Sequence, residues 1–376
     1  MDNKSNINTF NVILLCVKLK NDKDFDELVQ EGLELSNSAG YNTKYTLTVN
    51  RSTIDPKYFI GSGKLDELKV LCNQHQIKAL VVNHNLTPVQ ERNLSKELKI
   101  DIIDRTGLIL DIFDKRAKSN ESVLQVELAR LNYLSTRLVR IWTHLERQRG
   151  GTYAMGGSGE KQIELDRRMI KSRIKLLKTR LAKVVKNRQT QRKLRQKSDV
   201  FSISIVGYTN AGKSTLFNAL TNASVYADNR LFATLQTTSR KYYLSDGVDS
   251  ILSDTVGFIS DLPHSLVAAF RATLEETVYA DLLLHVVDIT RSLKERQIED
   301  VNKVLVEINA CDIPVLIVYN KIDLISGTLP AIEYNSASDP AAVHISAEKK
   351  IGLDILRKAI LEKMLYIKQS ESEVIS

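Results

Sequence analysis

Gly207-Tyr208-Thr209-Asn210-Ala211-Gly212-Lys213-Ser214 fits the pattern G-x-x-x-x-G-K-[ST], and Thr215 follows it. These residue types at this spacing suit a phosphate ester. Glycines let backbone N–H groups wrap an anion at a helix N-terminus, the Lys213 ammonium can bridge two phosphates, and the Ser214 hydroxyl is a hard oxygen ligand for Mg2+. The pattern also occurs by chance, so its companions decide. Forty residues after Ser214 stands Asp254-Thr255-Val256-Gly257. There the Asp254 carboxylate can hold a magnesium-bound water and the Gly257 N–H can meet a terminal phosphate. Sixty-six residues after Asp254 stands Asn320-Lys321-Ile322-Asp323. A carboxylate at Asp323 accepts from the N1–H and 2-amino group of guanine, which adenine lacks. Ser346-Ala347 completes the base pocket, with the Ala347 N–H suited to the guanine O6. Structural turns with acidic ends would have to account for all of these in order, which makes coincidence a poor explanation.

Three further residues refine the chemistry. A second hydroxyl for the magnesium and the terminal phosphate belongs in ADNRLFATLQTTSRK; Thr234 is chosen, although spacing alone also allows Thr237 or Thr238. Phe258 occupies the place after Gly257 where a glutamine would orient the attacking water, which predicts slow hydrolysis without an external activator. Asn210 is placed to help hold a monovalent cation such as K+ against the phosphates.

A second glycine-rich run, RQRGGTYAMGGSGEKQ, also resembles a phosphate cradle, with five of the chain's sixteen glycines between Gly150 and Gly159. It lacks both a preceding strand and a Gly-Lys-Ser/Thr ending, and instead separates two helical stretches. Leu124, Leu128, Leu131, Leu138, Trp142 and Leu145 stripe the first; Ile170, Ile174, Leu177, Leu181 and Val184 stripe the second. Each stripe needs the other for cover, which predicts an antiparallel helical hairpin over 119–197 with its tip at 150–159. From Lys161 to Lys197, 15 Lys and Arg face two acids, a local net of +13 in a chain of net +8, so the remainder is −5. An excess this one-sided is the footprint of a polyanion-binding element. It nominates Arg167, Arg168, Lys171, Lys175, Lys178 and Lys186, with Tyr153 and Met155 at the tip, as RNA contacts.

The phosphate and base motifs must stand at the carboxyl ends of strands, where open α/β sheets bind ligands. FSISIV, GVDSILSD, LLLHVVDI, PVLIVYNK and AVHISA supply the strands, KYYLS joins them, and helical runs intervene. The prediction is a doubly wound P-loop domain over 198–367 followed by a frayed polar tail, 368–376. Over 1–118, NVILLCV, YTLTV, ALVVNH and IDIID alternate with helical runs, which predicts a small parallel α/β domain. Within it IGSGK, Ile60 to Lys64, reads as a helix-entry turn. The fold class is therefore α/β, with two sheets and a helical hairpin.

The 376 residues suffice for two or three domains, and no apolar run suits a signal peptide or a membrane span. Cys16, Cys72 and Cys311 form no C-x-x-C pair and read as buried structural thiols in a reducing compartment. The expectation is a cytoplasmic monomer without integral membrane association or DNA specificity.

IDRTGLILDIFDKRA, LQVELARLNYL, RIWTHLERQRGG, GSGEKQIELDRR and LFATLQTTSR, in this order around the nucleotide motifs, resemble the signature stretches of the HflX family of translation-factor-related GTPases. The resemblance covers nearly the whole chain. It implies a GTP/GDP-binding, Mg2+-dependent hydrolase that binds the large ribosomal subunit and dissociates stalled or idle ribosomes under stress, its basic hairpin lying on ribosomal RNA and its tip reaching toward the peptidyl transferase region. It also carries Phe232-Ala233-Thr234-Leu235-Gln236 over as switch I, favouring Thr234, and Asp254 to Phe258 as switch II. Three departures stand out. Gln236-Thr237 replaces a common Asp-Pro, Gly156-Gly157-Ser158-Gly159-Glu160 replaces Arg-Gly-Pro-Gly-Glu, and a C-terminal domain carried by many members is not expected. Two other classes compete with a ribosome-stimulated enzyme. One is an RNA-binding or assembly module in which hydrolysis only drives release; the other is a membrane-linked switch, disfavoured by the lack of an anchor motif.

Overall fold

The computed structural model describes residues 11–20, 25–141, 158–196, 200–221, 231–235, 237–245, 248–260, 263, 266, 274 and 276–375. They divide into two compact units, Met1–Ala182 and Lys183–Ser376. Among the described residues no helix is long and apolar enough to cross a membrane.

In the first unit, β1 (Asn11–Leu19), α1 (Phe25–Ser38), β2 (Asn42–Arg51), α2 (Ser62–Gln74), β3 (Ala79–Val82), α3 (Pro88–Leu98), β4 (Asp101–Ile103) and α4 (Arg105–Arg116) alternate as the sequence predicts. The sheet is parallel throughout, in the order β2-β1-β3-β4. β1 and β3 are near-continuous apolar runs because central strands of a parallel sheet are buried on both faces, whereas the edge strand β2 is largely exposed. Local chemistry sets the helix starts. Thr87 and Gln90 form a reciprocal capping box at α3, with Pro88 in its first turn, and Asp104 caps α4 by accepting from the Gly107 N–H at 2.8 Å. The IGSGK turn is indeed a helix entry, with Gly61 as the N-cap of α2.

α5 (Asn120–Ile141) and the start of α6 (Ser158–Gln196) belong to the same unit, packed with the small sheet's helices rather than standing apart. Asp104 accepts from Tyr133 Oη at 2.8 Å and pairs with Arg137, whose second nitrogen meets Glu91 at 2.9 Å, so α5 is bound to the ends of α3 and α4 by buried polar bonds. The two stripes meet. Leu128, Leu177 and Leu181 are buried together, with Leu124, Leu131 and Ile174 against them, and Arg173 bridges to Glu127 at 2.7 Å. Leu165, Met169 and Leu176 of α6 are exposed. The expected tip differs at its end, since Ser158 and Gly159 already open α6; Trp142, Leu145, Tyr153 and Met155 lie outside the described residues.

The second unit holds β5 (Phe201–Gly207), α7 (Lys213–Thr221), β6 (Thr238–Ser245), β7 (Val248–Asp254), β8 (Leu282–Asp288), α8 (Lys294–Glu307), β9 (Val315–Asn320), β10 (Ile332–Tyr334), β11 (Pro340–His344) and α9 (Leu353–Ile375). Strand order is β10-β11-β9-β8-β5-β7-β6, parallel except for β6 and β10 at the edges. The chain leaves β5 toward β7 on one side and returns to β8 on the other, so the carboxyl end of β5 is a topological switch point. Two expectations are corrected, and one strand is added to them. β10 was not anticipated, because three residues at an edge carry no readable alternation. The tail expected to fray over 368–376 continues α9 as far as Ile375. Cys311 is exposed, being in the connection between α8 and β9, while Cys16 and Cys72 are buried.

Candidate nucleotide site

The loop from Gly207 to Ser214 joins β5 to α7 at the switch point, and its conformation explains its glycines. Gly207 has φ +146° and a Cβ there would overlap the Val286 carbonyl of β8; Gly212 has φ +94° and a Cβ there would strike the Asn320 amide. Both positions exclude side chains twice over, by backbone conformation and by space. Asn210 also takes a positive φ of 63°. The loop is clamped to the segment after β7, because Thr209 N–H donates to the Phe258 carbonyl at 2.7 Å and Phe258 N–H to the Gly207 carbonyl at 3.1 Å.

Lys213 is buried, its ammonium donating to the Tyr208 carbonyl at 2.7 Å. Burial pushes its pKa down to about 8, against the pull of the Asp254 carboxylate. Next to it three oxygens converge. Asp254 Oδ2 accepts from Ser214 Oγ at 2.7 Å and from Thr234 Oγ1 at 3.0 Å, and the two hydroxyls lie 2.8 Å apart. Asp254 is fully buried, its Oδ1 has no hydrogen-bond partner, and burial raises its pKa despite the bonds from Ser214 and the charge of Lys213. Two hydroxyls and a carboxylate with a spare oxygen are a donor set that fits Mg2+. Of the three threonines that spacing allowed, Thr234 reaches this cluster; Thr238 opens β6 opposite Asp254, and Gln236 lies outside the described residues. Phe232, Ala233, Thr255 and Gly257 also line the cleft, while Leu235 and Val256 are buried beside it in sequence.

Phe258 is 2% exposed and packs with Val206, Leu274, Leu283 and Val301. Its ring is part of the core beneath the sheet, so it anchors the segment that follows β7. Tyr208 reinforces this anchor by accepting from the Ser260 N–H at 2.8 Å.

At the base end, Asn320 ties two loops together, donating to the Ala211 carbonyl at 2.9 Å and accepting from the Ala347 N–H at 2.9 Å. That N–H, expected to face guanine O6, is thus engaged by Asn320. Lys321, at φ 70°, donates to the Asn210 carbonyl at 2.9 Å and to Asp288 Oδ2 at 2.7 Å. Asp323 is exposed in the 3-10 turn that follows, and Ser346 lines the cleft with its hydroxyl accepting from the Lys349 N–H. Asp288 and Glu348 were missed. Asp288 ends β8 and holds Lys321 in place, so its signal was its position at a strand's carboxyl end; Glu348 follows Ala347 and lines the cleft. In the first unit, Arg167, Arg168, Lys171, Lys175 and Lys178 are all exposed on α6, with Arg168 paired to Glu164 at 2.6 Å; Lys186, further along the same helix, is also exposed.

The family model described as GTP-binding GTPase N-terminal matches residues 26–114, GTP-binding GTPase Middle Region matches 116–195, and 50S ribosome-binding GTPase matches 202–321. The chain is 47% identical to GTPase HflX of Escherichia coli (strain K12) over 352 residues, covering 94% of this chain and 82% of that one. It is 46% identical to GTPase HflX of Caldanaerobacter subterraneus subsp. tengcongensis over 351 residues, 93% of this chain and 79% of that one. Among solved structures, the crystal structure of SsGBP with GDP aligns over 94% of this chain and 98% of that one, at 27% identity and a TM-score of 0.50.

Proposed function

The chain belongs to the HflX family of GTPases, and on that premise we propose that it hydrolyses GTP in association with the large ribosomal subunit, its nucleotide state gating that association and the splitting or rescue of stalled and idle ribosomes. The observation that carries the reading is the convergence of Ser214, Thr234 and Asp254 beside Lys213 at the switch point. The P-loop amides and the Lys213 ammonium bind the β- and γ-phosphates. Asp323 selects guanine, and Asp288 through Lys321 holds the base loop against Asn210. Ser214, Thr234 and Asp254 would hold Mg2+, which would supply positive charge against the phosphates. Thr234 comes from switch I and Asp254 from switch II, so their shared contact at Ser214 couples both segments to the terminal phosphate. The gating is tested by pelleting the chain with large subunits in GDP and in a non-hydrolysable GTP analogue. Retention in the analogue alone is expected, and equal retention in both contradicts it. Sedimentation of intact ribosomes separates splitting from an assembly role.

The exposed cations of α6 fit ribosomal RNA, which proteins grip largely through shape and phosphate contacts. Reversing Lys171, Lys175, Lys178 and Lys186 to Glu is expected to weaken large-subunit binding and to flatten its salt dependence by roughly 0.7–0.9 per lost phosphate contact. An unchanged slope would remove the helix from the interface.

Asn210 next to the phosphates favours a K+ requirement in hydrolysis. Turnover is expected to be severalfold faster in potassium than in sodium at equal ionic strength, and identical rates count against it.

A further inference from the structure

α6 carries two apolar seams, and α5 covers one of them. The covered seam runs through Ile174, Leu177 and Leu181, which Leu124, Leu128 and Leu131 of α5 meet. The other runs through Leu165, Met169, Ser172 and Leu176, at the same alternation of four and three, and all four residues are exposed. At 3.6 residues per turn these four share about 60° of arc and face about 140° away from the covered seam. Leu165 is 51% exposed, Met169 55% and Leu176 43%. Apolar side chains exposed singly need no explanation. Three in file with one serine between them form a patch, and an apolar patch rimmed by polar residues marks a docking surface.

Its rim is cationic. Arg168 and Lys175 flank it on one side and Arg173 and Arg180 on the other, all exposed. Arg168 is paired with Glu164 and Arg173 with Glu127, while among the described residues no acid pairs with Lys175 or Arg180. RNA phosphates would call on these cations but leave the leucines and the methionine between them wet. A helix with an apolar seam flanked by acids satisfies both parts, burying the file and meeting the rim, as charged flanks choose partners in coiled coils. Arg167, Lys171 and Lys178, nominated for RNA, lie on the opposite side of α6, so the two contacts do not compete.

We propose that the seam of Leu165, Met169 and Leu176 docks an amphipathic helix of a large-subunit protein, one whose apolar seam is flanked by Asp and Glu, as a third helix against the hairpin. The proposal rests on the large-subunit reading and adds a protein contact to the RNA contacts of the opposite face. Leu165, Met169 and Leu176 supply the anchors, and Lys175 and Arg180 supply charges that select an acidic partner.

The test uses the full chain with a non-hydrolysable GTP analogue. It compares wild type with the triple variant Leu165→Ser, Met169→Ser, Leu176→Ser in binding to intact large subunits and to protein-free large-subunit RNA. The triple variant is expected to bind intact subunits about 10- to 100-fold more weakly, the loss that follows when a few anchoring side chains leave an interface. It is expected to bind the RNA within about twofold of wild type. Undiminished binding to subunits would overturn the proposal, and equal losses on subunits and RNA would overturn it by giving the seam to RNA. A dimer of the chain alone that the triple variant dissolves would assign the seam to a second copy, with the same consequence. Benzoylphenylalanine in place of Met169 gives a readout that does not depend on the fold of the triple variant. A crosslink to a large-subunit protein carrying an acidic amphipathic helix is expected; a crosslink to RNA alone, or none, contradicts the proposal. A wild-type chain that does not bind large subunits would overturn the large-subunit reading itself and this inference with it.

Discussion

Replacing Lys213 with Met is expected to weaken GTP binding by about 2–5 kcal/mol, or roughly 30-fold to several thousand-fold, as truncation of one partner in a buried charge pair does. The ammonium is buried at the head of α7, and a thioether of similar length keeps the packing while removing the charge. Titration of mant-GDP and mant-GTP fluorescence measures the loss, and an affinity within twofold of wild type would contradict the assignment. The same residue sets a pH dependence. In the free protein its pKa is about 8, below its ordinary value of 10.5. A depressed folded pKa means that the free protein gains stability as pH rises from about 8 toward 10.5, and loses it as pH falls back through 8. Nucleotide reverses the preference, because phosphates favour the ammonium. Affinity is therefore expected to fall as pH rises above about 8, with proton uptake on binding in that range. Lys213→Met is expected to flatten this dependence.

The second large effect is expected at Asp254. Changing it to Asn keeps the shape and one acceptor for Ser214 and Thr234 but removes the negative charge around which the two hydroxyls are gathered. GTP turnover is expected to fall by roughly 10²-fold or more, on the scale of other preorganised electrostatic groups. Binding of GDP measured without divalent cation is expected to change much less, since the P-loop amides and Lys213 remain. Turnover by Asp254→Asn at the wild-type rate, over a range of Mg2+ concentration, would show that the Ser214–Thr234–Asp254 cluster is structural.

The site was legible in the sequence where phosphate and guanine chemistry dictate residue types at fixed distances. Gly207 and Gly212 had to be glycine, and the structure gives the particular obstacles, Val286 and Asn320. The stripes of α5 and α6 were legible because Leu128, Leu177 and Leu181 recur at helical spacing. Asp288 was not, since it works through Lys321 and forms no part of a contiguous motif. The fate of Phe258 was half visible. Its type excluded water activation, but only the packing shows that it fastens the segment after β7 to the core. The engagement of the Ala347 N–H by Asn320 joins residues 27 apart in sequence, which no local pattern records. β10 and the length of α9 were missed for the opposite reason: short edge strands and polar helix ends carry too little hydrophobic pattern to announce themselves.

The central claim is that the nucleotide site answers to the large ribosomal subunit, and its most direct test is steady-state GTP turnover by the full chain alone, with purified large subunits, and with purified small subunits. Large subunits are predicted to accelerate turnover by roughly 10-fold or more, well within the stimulation that partners give GTPases, and small subunits are predicted to leave it unchanged. Turnover that is the same with and without large subunits would contradict the account.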